Sequence, residues 1–334
     1  MSVIKNPTES TLVHTEALKL QSEQTSGYRS NLIHANAAEY WPAYRYYKQF
    51  DDSYEFSKFK LFIKCRNSAY FARQKSTGRV SLIANSCHQR WCPFCAKAKT
   101  NIIRKNTREW LKKINHPKFL TFTLAHSKLE LFEQIDILYK SFKQLRRIKM
   151  FKKAAQSGVW FFQIVRSKTD GLWHPHLHVI TGGAYIPHRK LSDEWKRITG
   201  ESFIVDIRAI KDPDKASDYV ARYASKTCNI TQFSLNDLCE IGHALQNHRV
   251  CGSWGSANKA KLTTLPKMDR GDWQMLGRYT TIIGLAKIDA RAAKILEAYK
   301  SGQTIDDGID VCDFDEIRKG EPPPPESNYE VCYD

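Results

Sequence analysis

Between residues 117 and 226 the spacing of apolar residues changes period in a fixed order, and few architectures accommodate that order. KFLTFTLA (118–125) is a short β-rich run. Leu131, Ile135, Leu138, Phe142 and Leu145 then recur at helical spacing. VWFFQIVR (159–166) and HPHLHVIT (174–181) read as strands, with SKTDGLW between them as a hairpin-like connection. Residues 188–199 read as a helix, FIVDIRAI (203–210) as a strand and 213–226 as a helix. The order β-α-β-β-α-β-α predicts an α+β fold, an antiparallel sheet covered by helices.

That order is of the ferredoxin/RRM-like kind. Around it, residues 1–50 read as an N-terminal arm, polar at first and then rich in aromatics (Tyr40, Trp41, Tyr44, Tyr46, Tyr47, Phe50). Residues 51–110 read as a small metal-binding module with two short strands (LFIKC, RVSLIA), a cysteine cluster and a helix from 100. Residues 111–230 form the sheet-and-helix domain, and 231–300 a mostly helical C-terminal region. Residues 301–334, with EPPPPESN and ten acids against two bases, read as an acidic disordered tail.

The chain of 334 residues carries a formal charge of +17. Because the tail is acidic, the body is more basic still, which points to a polyanionic partner, nucleic acid above all. No window approaches the length of a membrane-crossing apolar helix. The N-terminus lacks the pattern of a secretory signal, so a cytoplasmic location is expected. Nine cysteines without such a signal read as reduced thiols, and the odd number argues against a disulfide framework.

Chemistry concentrates in three places. His176 and His178 are two apart on a strand and share one face, with Leu177 on the other. Neutral imidazoles so placed chelate a divalent cation, although two structural histidines would leave the same pattern. Gln163, the polar residue inside VWFFQIVR, offers an amide oxygen as third ligand, with Asp206 as a less favoured substitute. Tyr219 and Tyr223 are four apart on the last helix and share a face, with Lys226 following. A tyrosine oxygen can attack a phosphodiester to form a phosphotyrosine, a cation polarises the phosphate, and a lysine stabilises developing charge. A second tyrosine permits a second transesterification. The similar spacing Tyr40–Tyr44 contains Pro42 and reads as a poor helix interior. Finally, Cys92-Pro-Phe-Cys95 forms a knuckle for a structural zinc, with Cys87 as third ligand and Cys65, or else His88, as the fourth.

LTFTLA (120–125), HPHLHVI (174–180) and YVARYASK (219–226), in this order, resemble the HUH endonucleases, the rolling-circle replication initiators of plasmids and single-stranded phages. The cysteine cluster is similar to that of plasmid Rep proteins. The resemblance covers roughly residues 60–230. It implies an HUH nuclease domain over 111–230, with His176, His178 and Gln163 holding catalytic Mg2+ or Mn2+. Gln163 stands where many relatives carry Glu. The resemblance further implies that Tyr223 nicks the origin strand through a 5′-phosphotyrosine, leaving a 3′-OH primer. Tyr219 would make the second cut, as in two-tyrosine initiators, and Lys226 matches a lysine common after the tyrosine. Implied partners are origin DNA, double-stranded and as a single-stranded hairpin, with host helicase and DNA polymerase. Arg146, Arg147, Lys149, Lys152 and Lys153 are the expected phosphate contacts. A transposase or mobilisation relaxase with the same site, and a non-catalytic zinc-dependent DNA-binding protein, stay open as alternatives.

Overall fold

The computed structural model describes residues 27–50, 56–125, 127–225, 229–259, 261, 268–305 and 329–332. Among these, nine strands form in chain order: β1 (Ala69–Gln74), β2 (Val80–Asn85), β3 (Lys118–Thr123), β4 (Ser157–Arg166), β5 (Trp173–Gly182), β6 (Val205–Ala209), β7 (Cys251–Trp254), β8 (Trp273–Arg278) and β9 (Tyr329–Val331). They build two antiparallel sheets in two compact units, so the α+β class holds. No helix among the described residues is long and apolar enough to cross a membrane.

The first unit takes in the described residues up to 94 and those from 268 to 332, with sheet order β8-β1-β2-β9. Phe71, Leu82, Ala84 and Leu276 from its strands pack with Ile282, Ala292 and Ile295 from the helices Tyr279–Leu285 and Ala290–Ser301. Three segments depart from the sequence reading. LFIK lies at the end of a helix, Phe56–Lys64, rather than in a strand. The buried positions Phe59 and Phe62, and Cys65 just after the helix, are three apart, a period that the short apolar run LFIKC taken alone conceals. The helix Ala37–Lys48 continues through Pro42. It buries Tyr40, Ala43, Tyr44 and Tyr47, and Tyr40 stacks on Phe62 and Phe94, so tertiary packing outweighs the backbone hydrogen bond that proline removes. Residues 306–328 lie outside the described residues, but Tyr329–Val331 pairs with β2 as an edge strand. In the stretch expected to be mostly helical, β7 and β8 stand between the helices.

The second unit takes in the described residues from 95 to 261 and holds the five-stranded sheet β6-β3-β5-β4-β7. The order of its first four strands, all antiparallel, is the split βαβ arrangement expected from the period changes, and β7 extends one edge. Alternation sorts the side chains. Phe122 on one face meets Phe142 and Trp195 from the helices Leu131–Leu145 and His188–Thr199. On the other face Val159, Phe161 and Ile180 pack with Ile103, Trp110 and Leu111 of the helix Pro93–Leu111. The helix Pro213–Ser225 lies on that second face too, where Tyr219 meets Phe119.

At Gly158 of β4 the Trp254 ring of β7 lies directly against the backbone. A methyl group there would run into the Trp254 ring and the Ile180 carbonyl oxygen. Gly158→Ala should therefore cost about 1–3 kcal/mol, the usual range for overpacking, read as a lowered urea midpoint. An unchanged midpoint would show that the Trp254 ring and the Ile180 carbonyl both give way at little cost.

Candidate functional site

Register brings the site residues together. In the antiparallel ladder β3-β5-β4, Thr123 stands opposite His176, and His176 opposite Gln163. The next row on the same face runs Asp206, Thr121, His178, Phe161 across β6, β3, β5 and β4. His178 Nε2 lies 2.6 Å from Gln163 Oε1. The Nδ1 atoms of His176 and His178 lie 3.0 and 3.3 Å from the hydroxyls of Thr123 and Thr121. The two imidazoles stack with centroids 6.3 Å apart. Trp195 fixes the end of β3 from behind, its indole N–H donating to the Thr123 carbonyl at 3.0 Å.

These rings sit in a pocket of about 750 Å³ whose walls also include Phe119, Arg208, Lys211, Lys215 and Tyr219. Tyr219 presents its ring at a right angle to Phe119 and His178, with centroids 5.1 and 6.0 Å away. The helix that carries it starts from Asp212, whose carboxylate accepts the N–H groups of Asp214 and Lys215. Arg108 Nη2 holds Asp214 Oδ2 at 2.7 Å, tying this helix to Pro93–Leu111. Tyr223 lies one turn further along the same helix; its side chain and the whole of Lys226 lie outside the described residues. Asp206 pairs with Arg208 at 2.7 Å instead of turning wholly to the histidines.

Burial pushes the imidazolium form out of this site. His178 is only 5% exposed, and its pKa falls to about 3, through burial first and the neighbouring His176 second. That of His176 falls to about 4, through burial and then His174. Both rings are neutral at physiological pH, as metal ligation requires, and the set of two imidazoles and an amide oxygen suits a divalent cation.

The basic run stands apart from these groups. Arg147, Lys149, Lys152 and Lys153 are exposed, on and just before the helix Lys149–Ala154. That helix leads into the start of β4, and Gln163 lies about 20 Å further along the strand at 3.4 Å per residue. Arg146 is half-buried, its guanidinium over the rings of Phe142 and Trp254 at 5.2 and 5.5 Å. Thr121 and Thr123 are site residues that the sequence reading does not single out, although TFT in a strand already places both hydroxyls on one face.

A second cluster gathers Cys65, Cys87, Cys92 and Cys95, whose sulfurs all lie within 4.8 Å of one another. Cys65 follows the helix Phe56–Lys64, Cys87 follows β2, and Cys92 and Cys95 flank the start of Pro93–Leu111. Cys65 Sγ and Cys92 Sγ are 3.6 Å apart, close to the ~3.8 Å between sulfurs around a tetrahedral zinc. This group of four thiols could hold zinc. His88 is not in the group: it is exposed and faces Glu330 at 3.5 Å. The Tyr47 hydroxyl accepts the Trp91 N–H at 3.1 Å and steadies the knuckle.

Two outcomes follow. Purified protein should contain about one zinc per chain, and Cys92→Ser about none, by elemental analysis; zinc retained in the variant would move the ligand set elsewhere. The histidines give a pH signature of definite sign. An unfolded histidine takes up a proton near pH 6.5, whereas these folded rings refuse it until about 4 and 3. Their contribution is therefore fully present above pH 6.5 and is lost as pH falls toward those values. Between pH 6.5 and 5 the loss is about 2 kcal/mol per ring, measurable by urea unfolding without added divalent cation. Replacing both by glutamine should remove most of that slope.

A family model described as Replication protein matches residues 79–282, from β2 into the helix Tyr279–Leu285. A curated Protein rep of Bacillus amyloliquefaciens is 29% identical over 202 residues, 55% of this chain and 57% of that protein. A Protein rep of a Bacillus species is 29% identical over 177 residues, 47% of this chain and 57% of its own length. One from Staphylococcus aureus is 26% identical over 181 residues, 48% of this chain and 79% of that protein. The chain thus spans little more than half the length of the two Bacillus proteins. No solved structure matches it. With the model covering more than half of its residues, the five-stranded sheet and the histidine site included, the chain belongs to the Replication protein family.

Proposed function

We propose that the chain is a plasmid rolling-circle replication initiator that nicks one origin strand through a tyrosine and later rejoins it. One observation carries this reading: two neutral imidazoles and an amide oxygen share a sheet face with the helix that bears Tyr219 and Tyr223. Family membership and the basic body support the same reading.

In this reading residues 111–230 form the nuclease domain. The Tyr223 oxygen attacks the scissile phosphorus and loses its proton. The P–O3′ bond breaks, the 3′ oxygen takes up a proton, and the 5′ phosphate remains on the tyrosine. Bound Mg2+ or Mn2+ at His176, His178 and Gln163 would neutralise charge on that phosphate. Lys226 stabilises the phenolate or the phosphate oxygens. Host helicase opens the duplex and host polymerase extends the free 3′-OH. Tyr219 then cuts the regenerated site, and the released 3′-OH attacks the first phosphotyrosine to close the circle. Because each step exchanges one phosphodiester for another, the bond energy is kept. Zinc on the four cysteines keeps the knuckle folded, and Arg146, Arg147, Lys149, Lys152 and Lys153 serve as phosphate contacts away from the cut.

The test uses supercoiled plasmid carrying the cognate origin, with Mn2+ or Mg2+. The expected product is a nicked circle with protein covalently attached, and peptide mass spectrometry should find the nucleotide on Tyr223. Tyr223→Phe should reduce the adduct by roughly 100-fold or more. An adduct lost only in Tyr219→Phe reverses the two tyrosines. Binding without any nick, across metals, would leave a zinc-dependent DNA-binding protein instead.

A further inference from the structure

The hydroxyls of Thr121 and Thr123 face the two imidazoles in register, one on each Nδ1, from the neighbouring strand. The Gln163 oxygen can only accept, so the 2.6 Å contact makes His178 Nε2 the protonated nitrogen in this structure. Nδ1 of His178 then carries the lone pair, and the Thr121 hydroxyl donates to it. A cation bound at Nε2 needs the opposite tautomer, with the proton on Nδ1. The proton count of the ring is unchanged; the proton leaves Nε2 and appears on Nδ1. A hydroxyl serves both states, because it donates to a lone pair and, once rotated, accepts from N–H. A methyl group in its place can neither donate to Nδ1 nor accept from Nδ1–H.

We infer that Thr121 and Thr123 are positioning residues that hold Nε2 of His178 and His176 toward the pocket and carry the tautomer that binds metal. The inference rests on the metal reading of the site proposed above. It explains why TFT lies opposite HLH: with both strands at period two, each hydroxyl meets one ring. Partners of this kind orient a ligating histidine and raise its basicity. The Trp195 indole donates to the Thr123 carbonyl and so holds this end of β3 in place opposite His176.

The experiment titrates Mn2+ into the full chain and follows free Mn2+ by electron paramagnetic resonance. Thr121→Val and Thr123→Val keep the side-chain shape and lose the hydroxyl; Thr121→Ser and Thr123→Ser keep the hydroxyl. Each valine variant should weaken Mn2+ binding by roughly 10–100-fold, and each serine variant should restore it to within a few-fold. Urea midpoints of all four variants show that each is folded under the conditions of the titration. Unchanged Mn2+ affinity in both valine variants overturns the inference, and so does a loss that serine fails to restore, since shape rather than the hydroxyl would then matter. Binding that also survives His176→Ala with His178→Ala overturns the metal reading of the site itself, a result distinct from either of those.

Discussion

The second unit depends on the register of three antiparallel strands. β3, β5 and β4 are paired so that Thr123, His176 and Gln163 form one row, with Thr121, His178 and Phe161 in the next. A slip of one residue on β5 would send both imidazoles to the opposite face, among Phe122, Phe142 and Trp195, and would turn Leu177 and Val179 to the pocket. The hydrophobic demand of that opposite face is thus what places the polar groups. Apolar residues take no part in the chemistry, yet their burial decides which side chains meet.

Burial has a second consequence. Cover on the histidines' own face, from Phe119 and Tyr219, helps desolvate the rings, so that neither is charged at physiological pH. Buried neutral imidazoles require hydrogen-bond partners, and these come from the flanking strands: threonine hydroxyls from β3 and an amide from β4. A site of neutral donors next to a helix bearing two tyrosines follows from the sheet and its cover together. In the first unit, aromatic packing of Tyr40, Tyr47, Phe62 and Phe94 surrounds the chain segments that deliver Cys65 and Cys92. Packing there aims sulfur rather than nitrogen.

Much of the second unit was legible in the residues, because its elements are long and their periods clear. The strands β3 to β6 and the helices His188–Thr199 and Pro213–Ser225 fall within a few residues of their expected ranges. The first unit was less legible. LFIKC taken alone is a short apolar run that suits a strand, and the helical spacing emerges only when Phe56, Phe59 and Phe62 are read together with the aromatic neighbours that Phe59 and Phe62 meet. Pro42 misled for the same reason, since a local rule about proline carries no information about the buried tyrosines around it. Strand β9 could not be foreseen within a tail so acidic and rich in proline, because its partner β2 is far away in the chain.

By itself, then, the sequence determined the main succession of elements from β3 to the helix Pro213–Ser225, the shared face of His176 and His178, the four-residue spacing of Tyr219 and Tyr223, and the knuckle at Cys92 and Cys95. All of these are set by the local geometry of one strand, helix or turn. The tertiary structure decided what stands opposite what: Gln163 and the two threonines beside the histidines, and Cys65 rather than His88 among the sulfurs. These pairings join residues far apart in the chain. Their selection comes from the simultaneous burial of many apolar side chains, a condition that no local window of sequence contains.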